Sequence, residues 1–134
     1  MFRSQKAKRV FLSLFALAQV ALVLPWFSIA PEITGYMWGW SLYFGSALIF
    51  PVIIALFFCL CYEGRHVALA RGFVWLVLAV SLGATVWALG GWHAWGITGR
   101  FSFSYGLQTA HPLYWLSLGL TAAPVVAFPL CART

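Results

Sequence analysis

Four apolar runs, residues 10–27, 41–62, 73–90 and 113–131, dominate the chain, and none of its eight Lys/Arg or two Glu falls inside any of them. A hydrocarbon layer about 30 Å thick takes roughly 20 apolar residues of helix to cross. Within such a layer every backbone N–H and C=O must find its partner inside the protein, which leaves helices and closed barrels as the spanning structures. The runs lack the period-two alternation of barrel strands, so helices are expected. The fold class that follows is an all-α integral membrane protein. It would be a four-transmembrane-helix bundle made of two hairpins, a single transmembrane domain over residues 1–134 with a small aromatic cap on the extracytoplasmic side. Composition agrees, because 7% of the residues are charged and 63% hydrophobic, whereas about a quarter of a soluble domain is charged.

The placement of the cations sets the threading. Arg3, Lys6, Lys8 and Arg9 precede the first run, Arg65 and Arg71 lie between the second and third, and Arg133 follows the fourth. Arg100 alone lies between the third and fourth. If the spans alternate, seven of the eight basic residues share one side, and the positive-inside rule puts that side, with both termini, in the cytoplasm. The expected location is the plasma membrane, in a bacterium the inner one. The net charge of +6 is then topological and lipid-facing, which argues against nucleic acid as a partner. The first run also has the outline of a signal peptide, with Ser28-Ile29-Ala30 as a small-x-small site; bulky Trp26 and Phe27 beside that site favour retention as an anchor. Cys59, Cys61 and Cys131 sit near cytoplasmic ends of spans and read as reduced thiols.

Seven of the eight Trp (Trp26, Trp38, Trp40, Trp87, Trp92, Trp95 and Trp115) map to the outer half. An interfacial belt accounts for such a distribution. The number exceeds what anchoring needs, and Trp38, Trp40, Trp92 and Trp95 are therefore candidate contacts for a partner. Phe101 to Tyr105 alternates aromatic and Ser, the period of a short strand, so a strand is expected there, paired with the first outer loop or lying flat on the interface. Pro51 near the middle of the second run predicts a kink that frees the Ala47 carbonyl. Ala79, Gly83 and Trp87 at steps of four, and the pairs Ser117/Thr121 and Gly119/Ala123, predict faces where helix backbones approach closely. Pro124 and Pro129 predict a bent cytoplasmic half of the fourth span.

Chemistry in a membrane usually shows itself as ionisable residues within spans, and this chain has none. Glu32 and Glu63 lie at opposite interfaces, too far apart for a catalytic pair or proton relay. Gln19, polar and deep in the first run, is expected to hydrogen-bond a neighbouring helix. Arg100 is expected to pair with Glu32 or to bind an anion. Arg65, His66 and Arg71 offer a docking point for a partner or an acidic lipid. His93, His111 and Glu32 could supply an N2O donor set, but their spacing is not diagnostic, and no metal, cofactor or catalytic residue is assigned. The expected function is that of a non-catalytic small tetraspan protein, an accessory or assembly subunit of a larger membrane complex. Its partners would be membrane lipids and other membrane protein subunits. The alternatives are an immunity or exclusion protein against a pore-forming toxin or phage, and a lipid- or quinone-binding carrier or enzyme using Gln19, Ser81, Thr85 and Arg100 as polar contacts.

Overall fold

Ser4 begins the first helix by accepting the Ala7 N–H on its side-chain oxygen at 3.1 Å, the bond that satisfies one of the unpaired amides of a helix start. The computed structural model describes residues 1–28, 36–38, 48–62, 64–94 and 98–133. Helix α1 (Gln5–Ala18) passes into a 3-10 segment (Gln19–Val23), then into strand β1 (Pro25–Ser28), which pairs antiparallel with β2 (Tyr36–Trp38). Helices α2 (Ile49–Cys61), α3 (Val67–Gly91), α4 (Phe103–Thr109) and α5 (Pro112–Cys131) follow.

The chain is mostly helical, as expected, but not as four equal spans. Among the described residues, α3 and α5 are the helices long and apolar enough to cross a membrane, with mean hydropathies of 2.0 and 1.6 over their best windows. The first expected span, 10–27, starts earlier, tightens to 3-10 geometry at Gln19 and becomes extended at Pro25. The second, 41–62, is helical from Ile49, its residues 41–47 lying outside those described. Pro51 falls in the first turn of α2 as described, and Ala47, whose carbonyl the expected kink would free, lies outside the described residues. A β pair exists, but it joins Pro25–Ser28 to Tyr36–Trp38. The Phe101–Tyr105 stretch forms no strand: Ser102 accepts the Tyr105 N–H and starts α4. Capping by a Ser side chain here outweighs the two-residue alternation.

The buried positions of α5 are Tyr114, Ser117, Thr121, Pro124, Phe128 and Cys131, a strict alternation of three and four residues. Helix α1 buries Phe11, Phe15 and Ala18, and α2 buries Val52, Ala55 and Cys59, on the same spacing. That spacing lays a seam along one helix face, the pattern of left-handed bundles. Helix α5 packs against α1 and α3, and α3 against α2. Phe128 gathers Phe11 at 5.0 Å, Trp75 at 5.4 Å and Phe2 at 6.1 Å between ring centroids.

The small residues divide against expectation. Ser81, Thr85, Ser117 and Thr121 are buried, whereas Ala79, Gly83 and Gly119 lie on exposed faces. Each of three hydroxyls bonds the carbonyl four residues back: Thr85 to Ser81, Ser117 to Leu113 and Thr121 to Ser117, all at 2.8 Å. A hydroxyl satisfied on its own helix packs as a small group, so the seam takes these residues and leaves the glycines outside.

Close approach is required elsewhere. A Cβ on Gly106 would overlap the Leu89 backbone carbonyl, and one on Gly90 would meet the Phe101 ring. These two glycines let α4 sit directly on the end of α3. Gly106→Ala should therefore lower stability by about 1–3 kcal/mol or more, because the obstructing group is backbone. Gly119→Ala, whose added Cβ meets nothing within 4 Å, should leave the unfolding midpoint in mixed detergent micelles unchanged.

Candidate functional site

The two ends of the bundle differ in chemistry, and each collects residues that the sequence marks as functional. At one end both termini meet. Phe2 bridges Ala132, the Arg3 N–H donates to the Cys131 carbonyl and the Arg133 N–H to the Met1 carbonyl, both at 2.9 Å. Arg3 Nε donates to the Ala132 carbonyl at 3.0 Å, and Lys8 Nζ to the Leu60 carbonyl at 2.8 Å. The carbonyls of Cys131 and Leu60 belong to the last turns of α5 and α2, where helices expose acceptors without intrahelical donors. Cations suit such ends both as donors and as charges opposing the helix dipole. Three helix ends are thereby tied together by basic residues that sequence reasoning had placed only by side.

Arg65 and His66 are exposed at the start of α3, and Arg71 is half-buried with an Nε that has no partner among the described residues. The His66 N–H donates to the Tyr62 hydroxyl at 3.0 Å, closing the turn between α2 and α3. Glu63 lies outside the described residues. His66 and Tyr62, with Phe58, Leu69, Ala70 and Phe73, line an open apolar groove of about 320 Å³.

The opposite end is the aromatic cap. Trp26 and Phe27 of β1 are fully buried. The Phe27 ring stacks on Trp92 at 5.2 Å and packs on Tyr114 at 5.0 Å. Trp26 Nε1 donates at 2.9 Å to the Ala21 carbonyl, which also accepts the Leu24 N–H at 3.3 Å as the 3-10 segment ends. Tyr114 donates its hydroxyl to the Thr85 carbonyl at 2.7 Å, joining α5 to α3. The His111 N–H donates to the Trp26 carbonyl at 2.8 Å, while His111 Nδ1 accepts the Leu113 N–H and starts α5 with Pro112 as its first residue.

Trp92, expected to face a partner, is only 6% exposed; its indole face is spent on Phe27 and Tyr105. Its Nε1 has no hydrogen-bond partner among the described residues. Trp38 lies in β2, paired through its backbone with Pro25. Trp40, Trp95 and Glu32 fall outside the described residues, so the expected Arg100–Glu32 pair does too; Arg100 itself is exposed.

Gln19 bonds its own helix and not a neighbour. Its backbone N–H turns to the Ala16 and Leu17 carbonyls as the helix tightens. That leaves the Phe15 carbonyl to the Gln19 side-chain Nε2, at 3.2 Å. The same residue lines a cavity of about 10 Å³ with Ser81 and Thr121, the size of one water molecule. It also lines an apolar groove of about 240 Å³ formed with Leu22, Leu48, Ile49, Val52, Ile53 and Leu56.

His93 has a role that the sequence did not announce. It is fully buried, with Nε2 2.9 Å from the Ser102 carbonyl and Nδ1 on the Thr98 hydroxyl. A carbonyl can only accept, so Nε2 carries the hydrogen, and in the neutral ring Nδ1 accepts from Thr98. The Thr98 N–H returns to the His93 carbonyl at 3.1 Å, and the Ser102 N–H to the Gly90 carbonyl at 3.0 Å. His93 therefore clamps the segment between α3 and α4, and both its ring nitrogens are occupied. Among the described residues no group of three His, Cys, Asp or Glu is placed to hold a metal ion. Cys59 and Cys131 are buried and Cys61 exposed, all as free thiols.

Comparisons with protein-family models, curated proteins and solved structures return no match to this chain.

His93→Leu removes the shorter of two bonds to the Ser102 carbonyl, which keeps the Gly106 N–H at 3.4 Å, together with the ring's bond to Thr98, and should cost about 1–2 kcal/mol. Thr98→Val should cost less, because only the hydroxyl bonds are lost. Unfolding midpoints of both variants in mixed detergent micelles measure the difference.

Proposed function

We propose that the protein is an integral membrane protein crossing four times with both termini in the cytoplasm, and that it serves as a non-catalytic accessory or assembly subunit of a larger membrane complex. Embedding is supported by the outer surface. Phe50, Ile53, Phe57 and Leu60 of α2, Leu69 and Leu76 of α3, and Leu116, Val126 and Leu130 of α5 are each more than half exposed. Exposed to water, an apolar surface of this kind would forgo a large hydrophobic stabilisation, while lipid accepts it. Counted from Val10, beyond the cations of α1, the remaining α-helix and the five-residue 3-10 segment rise roughly 24 Å, and about two residues of the extended chain that follows make up the rest of a crossing of about 30 Å. The meeting of the termini with the end of α2 at one basic end supports the orientation, since that end gathers the cations the positive-inside rule assigns to the cytoplasm.

The subunit reading is carried by the outward face of α3. Ala79 and Gly83 lie exposed one turn apart with Trp87 next on the same face, and a Cβ on Gly83 meets nothing within 4 Å. Within lipid, small residues four apart let a second helix approach closely. Among the described residues Gly83 has open space beside it, while Trp87 lies against Phe101, so the Ala79–Gly83 step is suited to a helix of another subunit. A carrier for a lipid or quinone is the second reading, supported by the apolar groove beside Gln19.

Native mass spectrometry of mild-detergent preparations separates the two. A stoichiometric protein partner, lost in Gly83→Leu while the unfolding midpoint holds, is the expected result. Wild type carrying lipid but no protein overturns the subunit reading and favours the carrier.

Orientation is checked on intact cells with an impermeant thiol reagent, in a background without the native cysteines. Ser104→Cys should label and Gln5→Cys should not; both positions are exposed. The reverse pattern overturns the threading.

A further inference from the structure

At the basic end the terminal segments enclose a half-open cavity of about 300 Å³ lined by Met1, Phe2, Arg3, Ser4, Gln5, Lys8, Cys59, Tyr62 and Arg133. Three of the lining side chains are cations, and among the described residues no acidic one joins them. Two of the cations are held in place by bonds that use only part of their capacity. Arg3 commits Nε to the Ala132 carbonyl, leaving its two terminal amino groups as donors. Lys8 commits one of three ammonium hydrogens to the Leu60 carbonyl. For Arg133 the bond to Met1 is made by the backbone N–H, so the whole guanidinium remains.

The same region keeps an excess of positive charge, only part of which the negative ends of α2 and α5 offset. Ser4 and Gln5 bring the start of α1 to the cavity, and Lys6, Lys8 and Arg9 follow within the next two turns, with no acid in the first turn. Helix starts carry partial positive charge and favour anions, so cations concentrated there repel both the helix dipole and one another. An anion in the cavity would relieve this repulsion and accept from oriented donors. Next to the cavity, and sharing Tyr62 with it, lies the apolar groove of Phe58, Leu69, Ala70 and Phe73. A phosphate in the first and a hydrocarbon chain in the second describe one kind of molecule. We infer that this end of the bundle binds the phosphate of an acidic phospholipid, with Arg3, Lys8 and Arg133 as its donors and the groove beside Tyr62 receiving an acyl chain. Basic pockets among helix ends on the cytoplasmic side take such headgroups in membrane proteins generally.

The site is independent of the subunit reading, since it lies away from the Gly83 face, and its test uses no protein partner. The full chain in neutral detergent is melted with added phosphatidylglycerol, with phosphatidylcholine and with inorganic phosphate. Phosphatidylglycerol should raise the melting temperature by several degrees, and phosphatidylcholine should not. Arg3→Gln combined with Arg133→Gln should weaken the phosphatidylglycerol effect roughly tenfold or more in apparent affinity, the loss typical of charge-assisted hydrogen bonds. Arg133→Gln alone, which leaves the Arg3 tie intact, should show part of that loss even where the double variant is poorly folded. Arg100→Gln at the opposite end should behave as wild type. An undiminished phosphatidylglycerol shift in the Arg133 variant and the double variant overturns the site, as does equal stabilisation by phosphatidylcholine. A shift of the same size from inorganic phosphate at the same concentration overturns the lipid as the source of the phosphate.

Discussion

Each polar group inside this bundle must be satisfied by the chain itself, and the back-bonded hydroxyls of α3 and α5 are the means on which the packing depends. Thr85, Ser117 and Thr121 each return a bond of 2.8 Å to the preceding turn. With the hydroxyl hydrogen placed, each side chain presents the partner helix with a small, mostly apolar surface. This is what lets a three-four seam run from Tyr114 to Cys131 through residues that hydropathy alone would not place in a core. The Tyr114 hydroxyl then completes the pattern by donating across the seam to the Thr85 carbonyl. Removing a hydroxyl from such a helix loses a local bond, whereas enlarging it would force the helices apart, and packing rather than hydrogen bonding is the tighter constraint.

The helix ends use a different device at each side. At the basic end the orphan carbonyls of α2 and α5 are capped by cationic side chains and by the amino-terminal backbone. At the aromatic end an indole donates to the Ala21 carbonyl, while the His111 imidazole and the Ser102 side chain accept the unpaired N–H groups that start α5 and α4. The division follows from where water is. Cations can bond a carbonyl and keep the rest of their charge hydrated, so they suit an end that meets headgroups and solvent. Neutral aromatic donors satisfy carbonyls within a packed layer at far lower desolvation cost. The Trp-rich segments are thus divided between a buried layer, Trp26 and Trp92 with Phe27 and Tyr114, and a peripheral set, Trp87 and Trp115, 38% and 48% exposed.

Helical class, apolar runs and the grouping of cations were legible in the sequence because each rests on a property of single residues summed over a segment. The finer geometry was not, because it rests on competition between local options. Nothing in the composition of 10–27 says that the helix tightens at Gln19; that depends on a side-chain amide taking over the Phe15 carbonyl. The alternation in Phe101–Tyr105 is a real strand signal, overridden by a single Ser cap and by Gly106 fitting onto Leu89. His93 was visible only as a loop histidine, because its partners Thr98 and Ser102 become neighbours once the chain turns at Gly99, whose φ of 73° favours glycine. Which face of α3 would pack within the chain was not legible for a related reason. Spacing identifies which residues share a face, but whether that face meets its own chain or another is decided by which face satisfies its polar groups.

That last distinction bears on how a chain with so little ionisable interior can have a role. A bundle whose internal hydroxyls are bonded back onto their own helices has little polar capacity left inside for chemistry. Recognition must then occur at surfaces that the fold leaves incomplete. Two kinds of incompleteness are present among the described residues: open space beside Gly83 on the outward face of α3, and a set of cations at the terminal end with donors in excess of the carbonyls they cap. The first lacks contact area, which the helix of the proposed partner would supply. The second lacks negative charge, and in a bilayer the nearest abundant source of that is the lipid headgroup layer. The two are separated along the bundle, so a lipid at the basic end and a helix along α3 can be held at once without competing for any residue.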